Sequence, residues 1–327
     1  MPPDLAGPVE VELARLTEHI PAPASMPGGA RYEPKFDGYR AVVVRSEAGA
    51  RIWSRQRHDL SDRFPDIAAA AERQLAPGVV LDGELTMLVE GRLSFDALQR
   101  RMVTSPSKAH ALVKSVPAAF VAFDLLAVGG VDLRTQRWTV RRGRLEQLAD
   151  RWRPPLQISP VTDDLAEAQE WFDVLPEAMG IEGLVVKAAN SRYVPGRREW
   201  LKVKRRDSVE VIVGGVIGPI DRPEVVIAGR YRAGEFVMVG RTVPLGAADS
   251  RQLGAVLRPA SRGHPWPDEI ASVRWGGKDS KKPLTKVRPD VVVEVLADAA
   301  MQAGQWRHGL RYVRYRADLK PEEVPTL

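Results

Sequence analysis

The sequence predicts an α+β domain followed by a smaller all-β domain, and three observations carry that expectation. From Arg31 to about residue 205, short apolar runs of strand character alternate with segments of helical spacing. Beyond Asp207 the pattern changes to short β-branched runs separated by Gly and Pro turns. The length, 327 residues, is enough for two cores of ordinary size. The boundary is expected near residues 205 to 208, dividing the chain into 1–206 and 207–327.

Taken in order, residues 1 to 30 hold a short amphipathic piece, VEVELARLTEHI, and a Pro- and Gly-rich lead-in, PAPASMPGGA. RYEPKFDGYRAVVVRS and ARIWSRQ predict a hairpin. DLSDRFPDIAAAAERQL predicts a helix opened by a polar cap. GVVLDGELTMLVEGRLSF has strand character with a turn at Glu90-Gly91, and VPAAFVAFDLLAVGGVDL reads as a buried strand ending at Gly129-Gly130. TVRRGRLEQLADRW has helical spacing with charges on its outer face, and GIEGLVVKAAN and WLKVKRR are short strands with charged ends. In the second domain SVEVIVGGVIG, PEVVIAGRYRAGEFVMVGRTV, SVRWG, DVVVEVLADAA and GLRYVRYRADL are the strand candidates. Their number and size suit a five-stranded barrel of the oligonucleotide-binding (OB) type.

Composition narrows the chemistry. An apolar fraction of 44% with 28% charged residues is that of a globular chain. No apolar run reaches the roughly 18 residues a membrane span needs, and the acidic N-terminus does not read as a secretory signal, so the chain is expected in the cytoplasm. Cysteine is absent, which removes disulfides, thiolate zinc sites and cysteine nucleophiles together. With five scattered His and no H-E-x-x-H, any metal is expected to be a hard, oxygen-bound ion such as Mg²⁺. The formal charge of +6, with Arg outnumbering Lys more than three to one, favours a polyanionic partner.

Lys35-x-Asp37-Gly38 interrupts the first strand. On a strand, residues 35 and 37 face one side, so an ammonium and a carboxylate can reach one ligand. A lysine acts as a nucleophile only when burial or nearby positive charge leaves part of it unprotonated. Alone, the motif is a weak signal and reads more readily as the solvated end of a hairpin. Downstream stand Ser54-Arg55, Leu81-Asp82-Gly83-Glu84, Phe123-Asp124, Glu182-Gly183-Leu184-Val185-Val186-Lys187 and Trp200-Leu201-Lys202-Val203-Lys204. Each sets charged groups at the edge of an apolar strand. Phosphoryl and nucleotidyl transfer needs this toolkit of Lys, Arg, carboxylate and Mg²⁺, with an aromatic platform for a base.

The ordered set resembles the nucleotidyltransferase motifs shared by ATP-dependent DNA ligases, RNA ligases and mRNA capping enzymes, and the compact plan is most similar to the small bacterial ligase C type. The resemblance implies an ATP-grasp-like ligase domain of antiparallel sheets flanked by helices over 1–206, and an OB-fold over 207–327. It implies that Lys35 attacks the α-phosphate of ATP and carries AMP, with Asp37 beside it. Glu33, two residues earlier on the same predicted strand face, would seat the adenine, and Phe123 would stack on it. Arg40 and Arg55 would hold ribose and phosphate oxygens, and Lys187, Lys202 and Lys204 would complete the nucleotide site. Glu84 would bind the ribose hydroxyls or assist the metal, Mg²⁺ or Mn²⁺, and Glu182 would bind it.

The family's terminal R-x-D-K motif is matched here by Arg316 and Asp318, with Leu319 intervening before Lys320. The implied partner is nicked double-stranded DNA. Lys278, Lys281, Lys282 and Lys286, beside Trp275, are the expected backbone contacts. The chain is expected to be a monomer that meets DNA-repair proteins and serves an accessory repair role. RNA ligation or RNA capping stays open within the same chemistry, and a non-catalytic nucleic-acid-binding module is the alternative from another class. Because one constellation would serve three successive displacements, the second domain is expected to reorient about residues 205 to 208.

Overall fold

The computed structural model describes residues 1–271, 281–298 and 300–327. It divides into two compact units, Met1–Arg205 and Arg206–Leu327.

The first unit contains β1 (Ala14–Thr17), β2 (Ala30–Pro34), β3 (Tyr39–Ser46), β4 (Gly49–Ser54), α1 (Pro65–Gln74), β5 (Val79–Val89), β6 (Arg92–Leu93), α2 (Phe95–Val103), α3 (Pro106–Ser115), β7 (Ala118–Val128), β8 (Val131–Asp132), α4 (Trp138–Ala149), β9 (Leu156–Ile158), α5 (Leu165–Met179), β10 (Gly183–Ala188) and β11 (Trp200–Lys204). Two sheets result. One runs β1-β11-β10-β2, and the other is a seven-stranded sheet with the path β4-β3-β5-β7-β8. Between them lies an apolar layer including Val42, Val44, Val80, Leu126, Tyr193 and Trp200. The larger sheet buries its opposite face against helices through Ile52, Phe64, Leu81, Leu98 and Phe120. Burial on both faces explains why β5 and β7 read as near-continuous apolar runs.

The predicted hairpin forms from β3 and β4, joined in register from Ala41↔Ser54 to Ser46↔Gly49. Residues 31 to 34 do not belong to it. They pair instead with β10 in the smaller sheet, so 35 to 38 is the crossing from one sheet to the other. The strand-face argument for Lys35 and Asp37 therefore fails, and a different device holds them. Lys35 N–H donates to the Gly183 carbonyl and Glu182 N–H to the Lys35 carbonyl, both at 2.8 Å, which clamps the crossing to the start of β10. Gly38 is needed there for space: a Cβ would stand 2.2 Å from the Leu85 carbonyl oxygen. The helix at 65 is another correction. Its N-cap, Phe64, offers no side-chain cap, and Pro65 opens the first turn with its φ already helical.

The second unit contains β12 (Arg206–Ile217), β13 (Val225–Arg232), β14 (Glu235–Arg241), α6 (Ala247–Val256), β15 (Glu269–Ala271), β16 (Lys281–Pro283), β17 (Thr285–Lys286), β18 (Val292–Asp298), β19 (Met301–Gln302), β20 (Gln305–Trp306) and β21 (Arg311–Tyr315). The main sheet runs β14-β13-β12-β18-β21 and is antiparallel throughout. Its ends approach each other: Thr242 and Leu310 form a parallel bridge, and Leu310 N–H donates to the Arg241 carbonyl at 2.9 Å. Alternation along β12 sends Val211 and Val213 to one core and Ile212 to another. The expected SVRWG strand, Trp275 and Lys278 lie outside the described residues. No described helix is long and apolar enough to cross a membrane.

Candidate active site

A cleft of about 690 Å³ opens in the first unit, and both of its sheets contribute to it. From the smaller sheet, alternation brings Glu33 of β2, Val185 and Lys187 of β10, and Trp200 and Lys202 of β11 to the cleft. Arg40 of β3, Glu84 of β5 and Phe123 of β7 come from the larger sheet, Lys35 from the crossing, and Arg55 from the end of β4. Residues spread over most of the unit's length thus line one cleft.

At its floor Lys35 is ion-paired and hydrogen-bonded to Glu182, whose side chain is 3% exposed. Lys204 reaches the same carboxylate at 3.4 Å. Burial favours a neutral Lys35, but the Glu182 charge and hydrogen bond, with Glu84 and Asp37 behind, outweigh it and raise the ammonium above its ordinary pKa. Lys202 is shifted the other way, lowered by burial and by the charges of Lys35 and Lys204. Glu84 is pushed up to about 8 by burial, against the pull of Lys35 and Arg40. The nucleophile candidate is thus held protonated by the adjacent Glu182 carboxylate.

The other end suits a nucleobase. Lys187, fully buried, lies 2.9 Å from both Glu33 oxygens and donates to the Phe123 carbonyl at 3.0 Å. Hydrogen-bond geometry is met only at Oε2, which leaves Glu33 Oε1 as a buried acceptor without a hydrogen bond. Burial raises the Glu33 pKa, opposed by Lys187. Phe123 stands edge-on to Trp200 at 5.8 Å and is partly buried against the inter-sheet core while lining the cleft. It therefore serves the core and presents an aromatic surface at once.

Arg40 grips Asp82 in a two-pronged pair, Nε to Oδ1 at 3.0 Å and Nη2 to Oδ2 at 2.6 Å. Its guanidinium carbon lies 4.8 Å from the Trp200 ring. Sequence reading missed Tyr193 and gave Asp82 no role. Tyr193 comes from an irregular connection that carries no periodic signal. Arg198 also lines the cleft, and only its place beside WLKVK could have flagged it.

For a divalent ion, no group of three or more His, Asp or Glu forms a ready-made cage among the described residues. The donor set is still suitable for Mg²⁺, which is commonly held by one or two carboxylates plus phosphate oxygens; Glu84 and Glu182 both act on Lys35 electrostatically.

The remaining candidates lie in the second unit. Arg316 is paired with Asp318 at 2.8 Å and with Glu210 at 2.8 Å. Leu319, the residue that interrupts the terminal motif, packs on the Ile212 core. Lys281 is 3.8 Å from Glu269, and Lys286 donates to the Trp266 carbonyl at 3.0 Å and pairs with Asp268. Lys282 is exposed on β16.

Comparison with known proteins shows the family. A family model described as ATP dependent DNA ligase domain matches residues 12–204. The chain is 32% identical over 312 residues to DNA ligase C2 of Mycolicibacterium smegmatis, covering 90% of this chain and 88% of that one. It is 31% identical over 340 residues to DNA ligase C of Mycobacterium tuberculosis, covering 96% and 91%. Among solved structures it matches the ligase domain of M. tuberculosis LigD with a TM-score of 0.51 at 28% identity, covering 97% and 98%. The chain belongs to the ATP-dependent DNA ligase family.

Proposed function

We propose that this chain seals nicks in duplex DNA through three successive displacements at one site, the first two of which make and break a bond to Lys35. In the first, the neutral Lys35 amine attacks the α-phosphorus of ATP. An N–P bond forms, the bond to the bridging oxygen breaks, pyrophosphate leaves, and the amine's proton passes to solvent. In the second, an oxygen of the 5′-phosphate at the nick attacks the same phosphorus, the N–P bond breaks and the lysine regains a proton. In the third, the 3′-hydroxyl attacks the 5′-phosphorus, loses its proton and expels AMP.

The observation that carries this reading is the cleft itself: Lys35 shares it with an aromatic surface at Phe123 and a buried acceptor at Glu33. An adenine amino group would satisfy Glu33 Oε1, and Phe123 would stack on the base. Arg40, Arg55, Lys187 and Lys202 supply positive charge for ribose and phosphate oxygens, with Asp37 and Lys204 close to the reacting lysine. Glu84 and Glu182 would hold Mg²⁺ or Mn²⁺, which supplies charge neutralisation at the phosphates when bound. Glu182 is also the carboxylate paired with Lys35, so an ion held there would share its charge with the lysine.

The second unit is read as an OB-fold, supported by the meeting of its sheet ends at Thr242 and Leu310. Lys281, Lys282 and Lys286 would lie along the DNA backbone, and Arg316 would orient the pyrophosphate leaving group. An accessory role in DNA repair fits the resemblance to the DNA ligase C proteins, and the two units would reorient between steps.

The test is incubation of the protein with Mg²⁺ and ATP labelled on the α-phosphate, beside GTP and NAD, with Lys35→Ala as control. Acid-labile label from ATP alone, lost in Lys35→Ala and discharged by nicked DNA, is the expected result. Label from GTP would move the reading to capping, and discharge only by nicked RNA to RNA ligation. No label on a chain shown free of bound AMP would leave a binding module.

A further inference from the structure

Tyr193 lies between β10 and β11, and its hydroxyl joins three separate parts of the first unit. It donates to Asp82 Oδ2 at 2.8 Å, accepts from the Glu12 backbone N–H at 3.1 Å and lies 3.5 Å from Arg40 Nη2. Its side chain is 2% exposed, and its ring stands edge-on to Trp200 at 5.8 Å. Asp82 is wholly buried and is the residue Arg40 grips with two nitrogens. Tyr193, Asp82 and Arg40 thus form a chain from the protein interior to the cleft, with Trp200 under the guanidinium.

An arginine side chain has many rotamers, and holding its planar fork at one orientation costs entropy. When a buried network fixes the fork during folding, the cost is not met again as ligand binds. Asp82 needs such support. Its Oδ2 receives both the Tyr193 hydroxyl and Arg40 Nη2, so loss of the hydroxyl leaves that oxygen one donor fewer and the carboxylate freer to turn. Burial and the adjacent Asp82 charge keep the Tyr193 phenol well above its ordinary pKa, so it remains a donor. The Tyr193 hydroxyl thus meets the carboxylate that holds a cleft arginine in a two-pronged pair.

We propose that Tyr193 is a positioning residue for nucleotide transfer, its hydroxyl locking Arg40, through Asp82, in the orientation that receives ribose and phosphate oxygens. This rests on the reading of the cleft as the ATP site.

The test is a double-variant cycle on self-adenylylation, using the full chain, Tyr193→Phe, Arg40→Lys and the double variant, at subsaturating and saturating ATP. Melting temperature is measured for each, and the assay is run well below the lowest. Tyr193→Phe is expected to lower the subsaturating rate roughly ten- to a hundredfold. In the Arg40→Lys background the same change is expected to cost less than about threefold, because the fork it aligns is gone.

Equal costs in both backgrounds, or no cost in the first, would overturn the proposal and leave Tyr193 a core residue. Should Tyr193→Phe fail to fold, Asp82→Asn in the same two backgrounds reads the coupling from the middle of the chain. Wild-type protein that takes no label from ATP would sink the ATP reading and this inference together. Normal wild-type labelling with additive costs would sink this inference alone.

Discussion

Glu12 is a carboxylate with no exposed surface, its Oε2 accepting from Val194 N–H at 2.9 Å and its Oε1 without a hydrogen bond. Burial pushes its pKa up to about 7, opposed by the Val194 bond. A carboxyl raised in the folded state binds a proton the unfolded chain has already released, so stability is full below the ordinary value near 4.5 and declines as pH rises toward 7. Glu12→Gln keeps an acceptor for Val194 and removes the charge. It is expected to stabilise the protein by roughly 1–3 kcal/mol at pH 8 and by little at pH 5, read as a melting temperature that rises in the variant only at the higher pH. An equal shift at both pH values would show that Glu12 does not titrate in this range. Single residues whose chemistry is rare announce themselves in sequence: Lys35, Glu182 and Phe123 stand in motifs. Tyr193 and Glu12 do not, since a tyrosine in a loop and a glutamate in an alternating run are ordinary until their neighbours are known.

At the level of elements, the crossing from β2 to β3 is the feature sequence misread. An alternating run through a K-x-D-G motif looks like one strand, because the period of two continues on both sides of it. Only the pairing partners, β10 for one half and β5 for the other, show that two sheets are involved. Gly38 marks the change, and its φ lies outside the left-handed region, so its role is close approach. Gly38→Ala is expected to cost roughly 1–3 kcal/mol, because the atom it meets is backbone that cannot give way. Adenylylation should fall more than stability alone accounts for, since Lys35 hangs on the same crossing; unaltered labelling by a less stable variant would show that the crossing does not position the lysine. A second contrast is α4. Its helical spacing was legible, but the buried Arg141–Asp124 pair that ties it to β7 was not. Arg141→Leu leaves Asp124 without its partner in a site 1% exposed, and a loss of about 3–5 kcal/mol is expected by denaturant titration.

At the scale of the whole molecule, function would join the first unit's cleft chemistry to DNA held by the second. If Lys281 and Lys282 contact the DNA backbone, replacing both with Ala weakens binding to nicked duplex and flattens the slope of log affinity against log salt by up to about two units. A slope identical to wild type would remove them from the interface. The proposed reorientation about residues 205 to 208 fails if a crosslink that fixes one arrangement of the two units leaves all three chemical steps at their normal rates.

Sequence by itself pointed to a two-part plan and to most of the charged residues that line the cleft. These depend on local properties, such as side-chain period, turn residues and the charges that phosphate chemistry demands. Tertiary structure alone decided which charges meet. It put Glu182 on Lys35, Glu33 on Lys187 and Asp82 between Arg40 and Tyr193, pairs up to 154 residues apart. The reason is physical: a buried charge is tolerated only beside a partner, and which partner is within reach depends on how strands from two sheets come together.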